Sequence, residues 1–343
     1  MLMYTGRKIR VLVVDDSPLF REVLSRGIST DDDLVVVDTA NDPFEAKDKI
    51  LQYKPDVMTC DIQMPRMDGI EFIRQLLPQY PIPVIVISTV SGAVFDAMNA
   101  GAVDFITKPS VNSAEGLKKF IYELIYKIKI AATAKIVSNK AVALSDTLSS
   151  PSAATDADRI IAIGASTGGT EAISKIINQL PGDMPGIVIV QHIPPIFSSM
   201  FAQRLNSTSS LEVKEAENGD RIEPGRVLIA PGDKHMRVKK FGGSFKIECF
   251  EGEKVNGHCP SVDVLFESVA RAAGDSAVGI ILTGMGNDGA KGLLEMRRRG
   301  AKTIGQDEAS SVVYGMPKVA YNIGAVSKQV PLDRVVETLF SVL

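Results

Sequence analysis

The sequence has no apolar run approaching the roughly 20 residues needed to span a bilayer. Its first stretch, MLMYTGRKIRVLVVDD, carries only a short apolar run that ends in two aspartates and has no small-residue cleavage site. Neither a membrane-inserted helix nor a secretory signal peptide is expected. Cysteine is scarce: Cys60, Cys249 and Cys259 are odd in number and lack CxxC spacing. That argues against a disulfide framework and a zinc site, and a reducing cytoplasm fits best. Charge of one sign is also lacking, and a formal net charge of −3 gives no bulk attraction to nucleic acid or to an anionic membrane. No fixed-period repeat is visible. What is present is 343 residues, 45% hydrophobic and 23% charged, an ordinary soluble composition long enough for two domains.

The first 130 residues alternate strand-like runs (RVLVVDD, LVVVDTA, DVMTCD, PVIVIS, VDFITKP) with periodic segments such as PLFREVLSRGI and DPFEAKDKILQYK. Near-continuous apolar strands between helices predict a parallel sheet covered on both faces. The stripe Leu117, Phe120, Ile121, Leu124, Ile125 and Ile128 predicts a last helix by its i/i+3/i+4 spacing. Small and polar residues without periodicity predict a linker over 131–157. The alternation resumes with RIIAIGAS, GIVIVQH, RVLIAPG and VGIILTGMG, and MRVKKFGGSFKIECFEG reads as a hairpin turning at Gly242–Gly243.

Functional residues of such sheets collect beyond the carboxyl ends of the strands. Asp15 and Asp16 end the first run, Asp61 the third and Ser88 the fourth, and Lys108 follows the fifth. Each aspartate alone reads as a turn or cap. Together they predict one hard oxygen pocket suited to Mg²⁺, with an ammonium beside it for an arriving phosphoryl group. In the second half, Gly164 to Gly168 spell G-A-S-T-G between a strand and a helix. That pattern is shared by nucleophile elbows and phosphate-binding turns. The absence from this turn of G-x-G-x-x-G and of a P-loop lysine moves the balance toward a nucleophile, as do candidate partners. His192 directly follows the strand after the serine's helix and is the best general base. His235 reads as part of a turn between strands, and His258 sits in a loop that could border the pocket. Asp288, in the glycine turn after VGIILT, is the candidate carboxylate to orient the imidazole. The order Ser–His–Asp matches neither α/β-hydrolases, chymotrypsin nor subtilisin. The basic run RRRGAK (Arg297 to Lys302) reads as a solvated helix end before Gly300 rather than a DNA-recognition helix.

The motifs VLVVDDS, CDIQMPRMDGIEFI and GAVDFITKP resemble response-regulator receiver domains over residues 8–130. The resemblance implies a flavodoxin-like, doubly wound, five-stranded parallel sheet with Asp61 as phospho-acceptor. It further implies Mg²⁺ on Asp15, Asp16, Asp61 and the Gln63 carbonyl, phosphoryl contacts from Ser88 and Lys108, and Phe105 as switch aromatic. The segment 88–102 is shorter than this family's usual loop and helix, so the switching surface there is expected to differ. IGASTGGTEAI, VIVQHIPPIF, HCPSVDVLF, ILTGMGNDGAKGL and QDEASSVVYGMPKVA resemble the catalytic domain of CheB protein-glutamate methylesterases over 158–343. That resemblance implies a second doubly wound α/β domain carrying the hairpin. It also implies a Ser166–His192–Asp288 triad, pocket residues Thr167 and Met285 near the oxyanion, and an ester-cleaving step without a cofactor. The implied substrates are glutamyl methyl esters, and selected glutamines, of methyl-accepting chemotaxis receptors. The implied phosphodonor is a chemotaxis histidine kinase, acting on a cytoplasmic monomer that binds no nucleic acid. The receiver is expected to cover the esterase cleft until Asp61 is phosphorylated. Cys259 stands where this family's pattern has arginine, which is expected to shift substrate recognition without abolishing the chemistry.

Overall fold

In the computed structural model, which describes residues 7–89, 92–109, 113–135 and 159–343, the five N-terminal apolar runs become strands. They are β1 (Ile9–Val14), β2 (Leu34–Ala40), β3 (Val57–Asp61), β4 (Val84–Ser88) and β5 (Asp104–Thr107). All pair in parallel in the order β2-β1-β3-β4-β5. Every residue of β3 and β4 is buried, as continuous apolar strands covered on both faces require. The helices are α1 (Pro18–Ile28), α2 (Pro43–Tyr53), α3 (Gly69–Leu76), α4 (Ala93–Asn99) and α5 (Ala114–Ala131). Their starts are written locally. Ser17, Asp42, Asp68 and Ser113 each accept a backbone N–H of the first turn, and proline follows the first two caps, as helix N-termini prefer. On α5, Phe120, Leu124 and Ile128 are buried and Leu117, Ile121 and Ile125 half-buried, the stripe expected from sequence. The helix in the shortened segment, α4, has seven residues.

The chain divides into two compact units, Met1–Lys140 and Ala141–Leu343. The expected linker lies mostly outside the described residues, since 136–158 are not among them, and Ala131 closes α5. The second unit contains β6 (Ile160–Ala165), α6 (Gly169–Ile177), β7 (Gly186–Gln191), α7 (Phe197–Thr208), β8 (Glu212–Glu215) and β9 (Arg226–Ile229). It continues with β10 (His235–Phe241), β11 (Ser244–Phe250), α8 (Val262–Ala273), β12 (Ala277–Ile281) and α9 (Ala290–Arg298), then β13 (Lys302–Gln306), α10 (Met316–Asn322), β14 (Lys328–Val330) and α11 (Val335–Phe340). A seven-stranded parallel sheet has the order β14-β13-β12-β6-β7-β9-β8. β10 and β11 form the expected hairpin, with Phe241 paired to Ser244 around Gly242 and Gly243 at φ +54 and +83, the left-handed pair of a type I′ turn. Three strands carry no legible apolar signal: EVKE, KTIGQ and KQV (β8, β13, β14) are short and polar. Pairing with neighbours makes them strands, because β-propensity is largely a property of context.

Strand order explains where a site forms. From β6 the chain builds outward to β7, β9 and β8, and later fills the other side with β12, β13 and β14. Loops leaving β6 and its two neighbours therefore diverge at a switch point, where open α/β sheets make their crevice. One face of the sheet is packed by α8 and the hairpin around Phe266, Leu265, Val269, Met236 and Ile247, all buried.

Candidate active site

The G-A-S-T-G segment is shaped by packing and by backbone. A Cβ on Gly164 would lie 2.2 Å from Val262 Cγ1, so glycine lets α8 approach β6. Gly168 has φ +75 and caps α6, a conformation glycine adopts without steric cost. Between them Ser166 is half-buried at the end of β6. Its N–H donates to Thr283 O at 3.0 Å, and the N–H of His192 donates to Ala165 O at 3.1 Å. Gln191 Nε2 donates to Ser166 O at 2.9 Å. The loop after β12 passes directly behind the serine: a Cβ on Gly284 would lie 2.7 Å from Ser166 Cβ.

His192 Nε2 lies 2.9 Å from Asp288 Oδ2. Its other ring nitrogen, Nδ1, is buried without a hydrogen-bond partner. Among the described residues no hydrogen bond joins Ser166 Oγ to this imidazole. Asp288 is 1% exposed and accepts four further hydrogen bonds. Oδ1 takes Asn256 Nδ2 at 2.8 Å, Ser261 Oγ at 2.8 Å and Asp263 N at 3.1 Å, and Oδ2 takes Val262 N at 2.7 Å. Two of these donors are the first backbone N–H groups of α8, so a helix N-terminus faces the carboxylate. Burial would raise the Asp288 carboxyl, but the bonds from His192, Asn256 and Ser261 outweigh it and hold it well below the usual carboxylate range.

Thr167 is buried, and its carbonyl accepts Thr283 Oγ1 at 3.0 Å. Met285 is half-buried between Gly284 and Gly286, the latter at φ +88. His258 stacks on His192, with ring centroids 3.7 Å apart and planes 10° from parallel. His235 differs from its expected place in a turn. It opens β10, is buried, accepts Ser261 N at Nδ1 (3.2 Å) and faces Glu253 O through Nε2 (2.8 Å). Both ring nitrogens are thereby occupied. Cys259 is half-buried, and burial raises its thiol. The basic run closes α9, with Arg297 donating to Gly324 O at 2.6 Å and Arg299 to Glu295 at 2.6 Å.

The N-terminal unit has its own constellation. Carboxylate oxygens of Asp15, Asp16 and Asp61 lie within 4.8 Å of one another. Asp15 and Asp61 are buried and Asp16 is exposed. Lys108 Nζ, carried past the end of β5, donates to Asp15 at 2.7 Å and to Asp61 at 2.6 Å. Burial raises the Asp61 carboxyl, and Lys108 only partly opposes this. Gln63 N faces Asp61 Oδ1 at 3.4 Å. Ser88 is buried at the end of β4, its carbonyl accepting Lys108 N at 3.0 Å. Phe105 is buried on β5, edge-on to Phe95 with centroids 6.5 Å apart.

The family model described as CheB methylesterase matches residues 161–339. The chain belongs to the CheB methylesterase family. The response regulator receiver domain model matches residues 11–121. A protein-glutamate methylesterase/protein-glutamine glutaminase 2 of Syntrophomonas wolfei is 58% identical over 98% of each chain. A protein-glutamate methylesterase/protein-glutamine glutaminase of Salmonella typhimurium is 46% identical over 97% of each. The crystal structure of the Thermotoga maritima CheB methylesterase catalytic domain covers 54% of this chain and 98% of its own, at 39% identity and a TM-score of 0.53. The protein is thus a chemotaxis methylesterase with a response-regulator receiver.

Sequence reasoning did not single out Asn256, Ser261 or Asp263, which surround Asp288. The signals were weak but present: Asn256–Gly257 is a hairpin-turn dipeptide, and Ser261 precedes an apolar helical run. No helix among the described residues is long and apolar enough to cross a membrane.

Proposed function

We propose that the protein is a phosphorylation-activated hydrolase that removes methyl esters from glutamate side chains of methyl-accepting chemotaxis receptors, and that it also deamidates selected receptor glutamines. One observation carries this reading. His192 is held by Asp288 at 2.9 Å through Nε2, while its buried Nδ1 has no partner, at the strand end beside Ser166. In the proposed cycle Nδ1 takes the Ser166 hydroxyl proton as Oγ attacks the γ-carbonyl carbon. The bond to the methoxy oxygen breaks, the proton passes to that oxygen, and methanol leaves. A water molecule loses its proton to the same nitrogen and attacks the acyl-enzyme. Ser166 departs with that proton and glutamate is restored. Asp288 stays ionised and stabilises the imidazolium. Backbone N–H groups of the Thr167 and Met285 turns are assigned to the oxyanion, commonly the largest catalytic contribution. A glutamine amide enters the same cycle with ammonia as the leaving group. The decisive test is methanol release from methylated receptor membranes. Ser166→Ala is expected to abolish it, and wild-type release by that variant would reject the mechanism.

The receiver, proposed to span 8–130 ahead of a 131–157 linker and a 158–343 catalytic domain, would accept its phosphoryl group on Asp61 from a chemotaxis histidine kinase. Three carboxylates converging within 4.8 Å are the hard-donor set that suits Mg²⁺, which Asp15, Asp16, Asp61 and the Gln63 carbonyl would hold. When bound, the ion offsets charge on the incoming phosphoryl group. Lys108 and Ser88 would contact the phosphoryl oxygens, and Phe105 would report the change. A small phosphodonor with Mg²⁺ is expected to raise esterase turnover of the intact monomer. Equal rates with and without it, or stimulation surviving in Asp61→Asn, would reject this regulation.

A further inference from the structure

The turn ahead of α8 is a two-residue hairpin. Val255 and His258 exchange both backbone hydrogen bonds, each 3.0 Å, around Asn256 and Gly257 at φ +52 and +84. This turn delivers two side chains to the site. His258 lies on the His192 ring, and Asn256 reaches the acid. Its Nδ2 donates at 2.8 Å to Asp288 Oδ1 and at 2.7 Å to Asp263 Oδ2, which uses both amide hydrogens. Asp263 is 3% exposed, and its other oxygen accepts Gly292 N at 2.7 Å. Two buried carboxylates thus share one amide, and among the described residues no lysine or arginine pairs with either.

We propose that Asn256 is a positioning residue of the esterase: by donating to both carboxylates it keeps Asp263 and Asp288 ionised side by side and holds Asp288 on His192 Nε2. This rests on the acyl-enzyme reading above. The titratable groups facing the pair are His192 with His258 stacked on it, and Glu267, one turn along α8 from Asp263. Burial and the neighbouring Asp288 already raise the Asp263 carboxyl. Once the amide is gone, two like charges in one buried site favour a shared proton. An Asp288 that shares a proton no longer stabilises the imidazolium.

Asn256→Gly deletes the amide and keeps the left-handed backbone. It is expected to lower kcat roughly 10- to 100-fold, less than the ~10⁴-fold cost of losing the orienting acid itself, with KM within about twofold. The acidic limb of the kcat/KM profile should move to higher pH. Asn256→Gly combined with Asp263→Asn, which removes the competing charge, should recover most of kcat and return the limb. In a Ser166→Ala background, which is expected to turn nothing over, ¹³C NMR of labelled aspartates reads the coupling directly. Asn256→Gly should take up one proton on the pair between about pH 5 and 8, and the parent and combined variants none. Asn256→Asp, also at ease with positive φ, provides a second variant whose loss of kcat should deepen as pH rises. A fall in kcat with an unmoved limb and no recovery on adding Asp263→Asn would overturn the proposal. Methanol release persisting in Ser166→Ala would reject the catalytic reading instead, and the aspartate titration would still decide the clamp.

Discussion

Asp288 is held below the ordinary carboxylate range although it is almost fully buried, because hydrogen bonds from His192, Asn256 and Ser261 outweigh burial. A depressed folded pKa adds stability above the unfolded value of about 3.9, and that stability is lost as pH falls below it. Asp288→Asn turns one acceptor oxygen into a donor facing other donors. Chemical denaturation is expected to show a loss of roughly 2–4 kcal/mol at about pH 6, and a smaller loss at about pH 3, where the wild-type advantage has itself begun to fade. Under the proposed mechanism the same change should cost about 10⁴ in kcat in the methanol-release assay, the scale seen when a triad acid is neutralised in other hydrolases.

At the scale of elements, the elbow and the hairpin use glycine for different reasons, and substitution separates them. Gly164 meets Val262 of α8, whose N–H holds Asp288. Gly164→Ala must push α8 away, so Tm and kcat should fall together, with a stability cost of roughly 1–3 kcal/mol. Gly242 has φ +54, and a Cβ there would meet nothing within 4 Å. Gly242→Asn keeps the left-handed turn and restricts the unfolded chain, so a gain of about 0.4–1 kcal/mol is expected with activity unchanged. Calorimetry alongside turnover checks both.

Across the whole chain, the two units carry two separate constellations of buried carboxylates. In the receiver, two buried aspartates share one lysine, and burial raises the Asp61 carboxyl. A raised carboxyl pKa favours the fold at low pH, and that contribution is lost as pH rises through the folded value. Without Mg²⁺, Asp61→Asn is therefore expected to raise Tm by a few degrees near pH 7, on the order of 1 kcal/mol, and to change little near about pH 4. The variant without the proposed phospho-acceptor should then be the more stable one, which a melting series over pH will decide.

Much of this was legible because it is local. Buried runs such as VIVIS and IIAIGA, the Gly242–Gly243 turn and the serine between glycines all express short-range preferences. The polar strands KTIGQ and KQV were not legible, because only pairing makes them strands. Three histidines offered themselves as bases, and their neighbours in sequence do not rank them fully. Folding occupies both nitrogens of His235, lays His258 against His192, and brings Asp288 to His192 across 96 residues. The residue types at the strand ends follow from the order of amino acids alone. Which of them meet, and that Asn256 joins Asp263 to Asp288, is set by the fold, because those contacts depend on strand order and on the approach of α8 to β6.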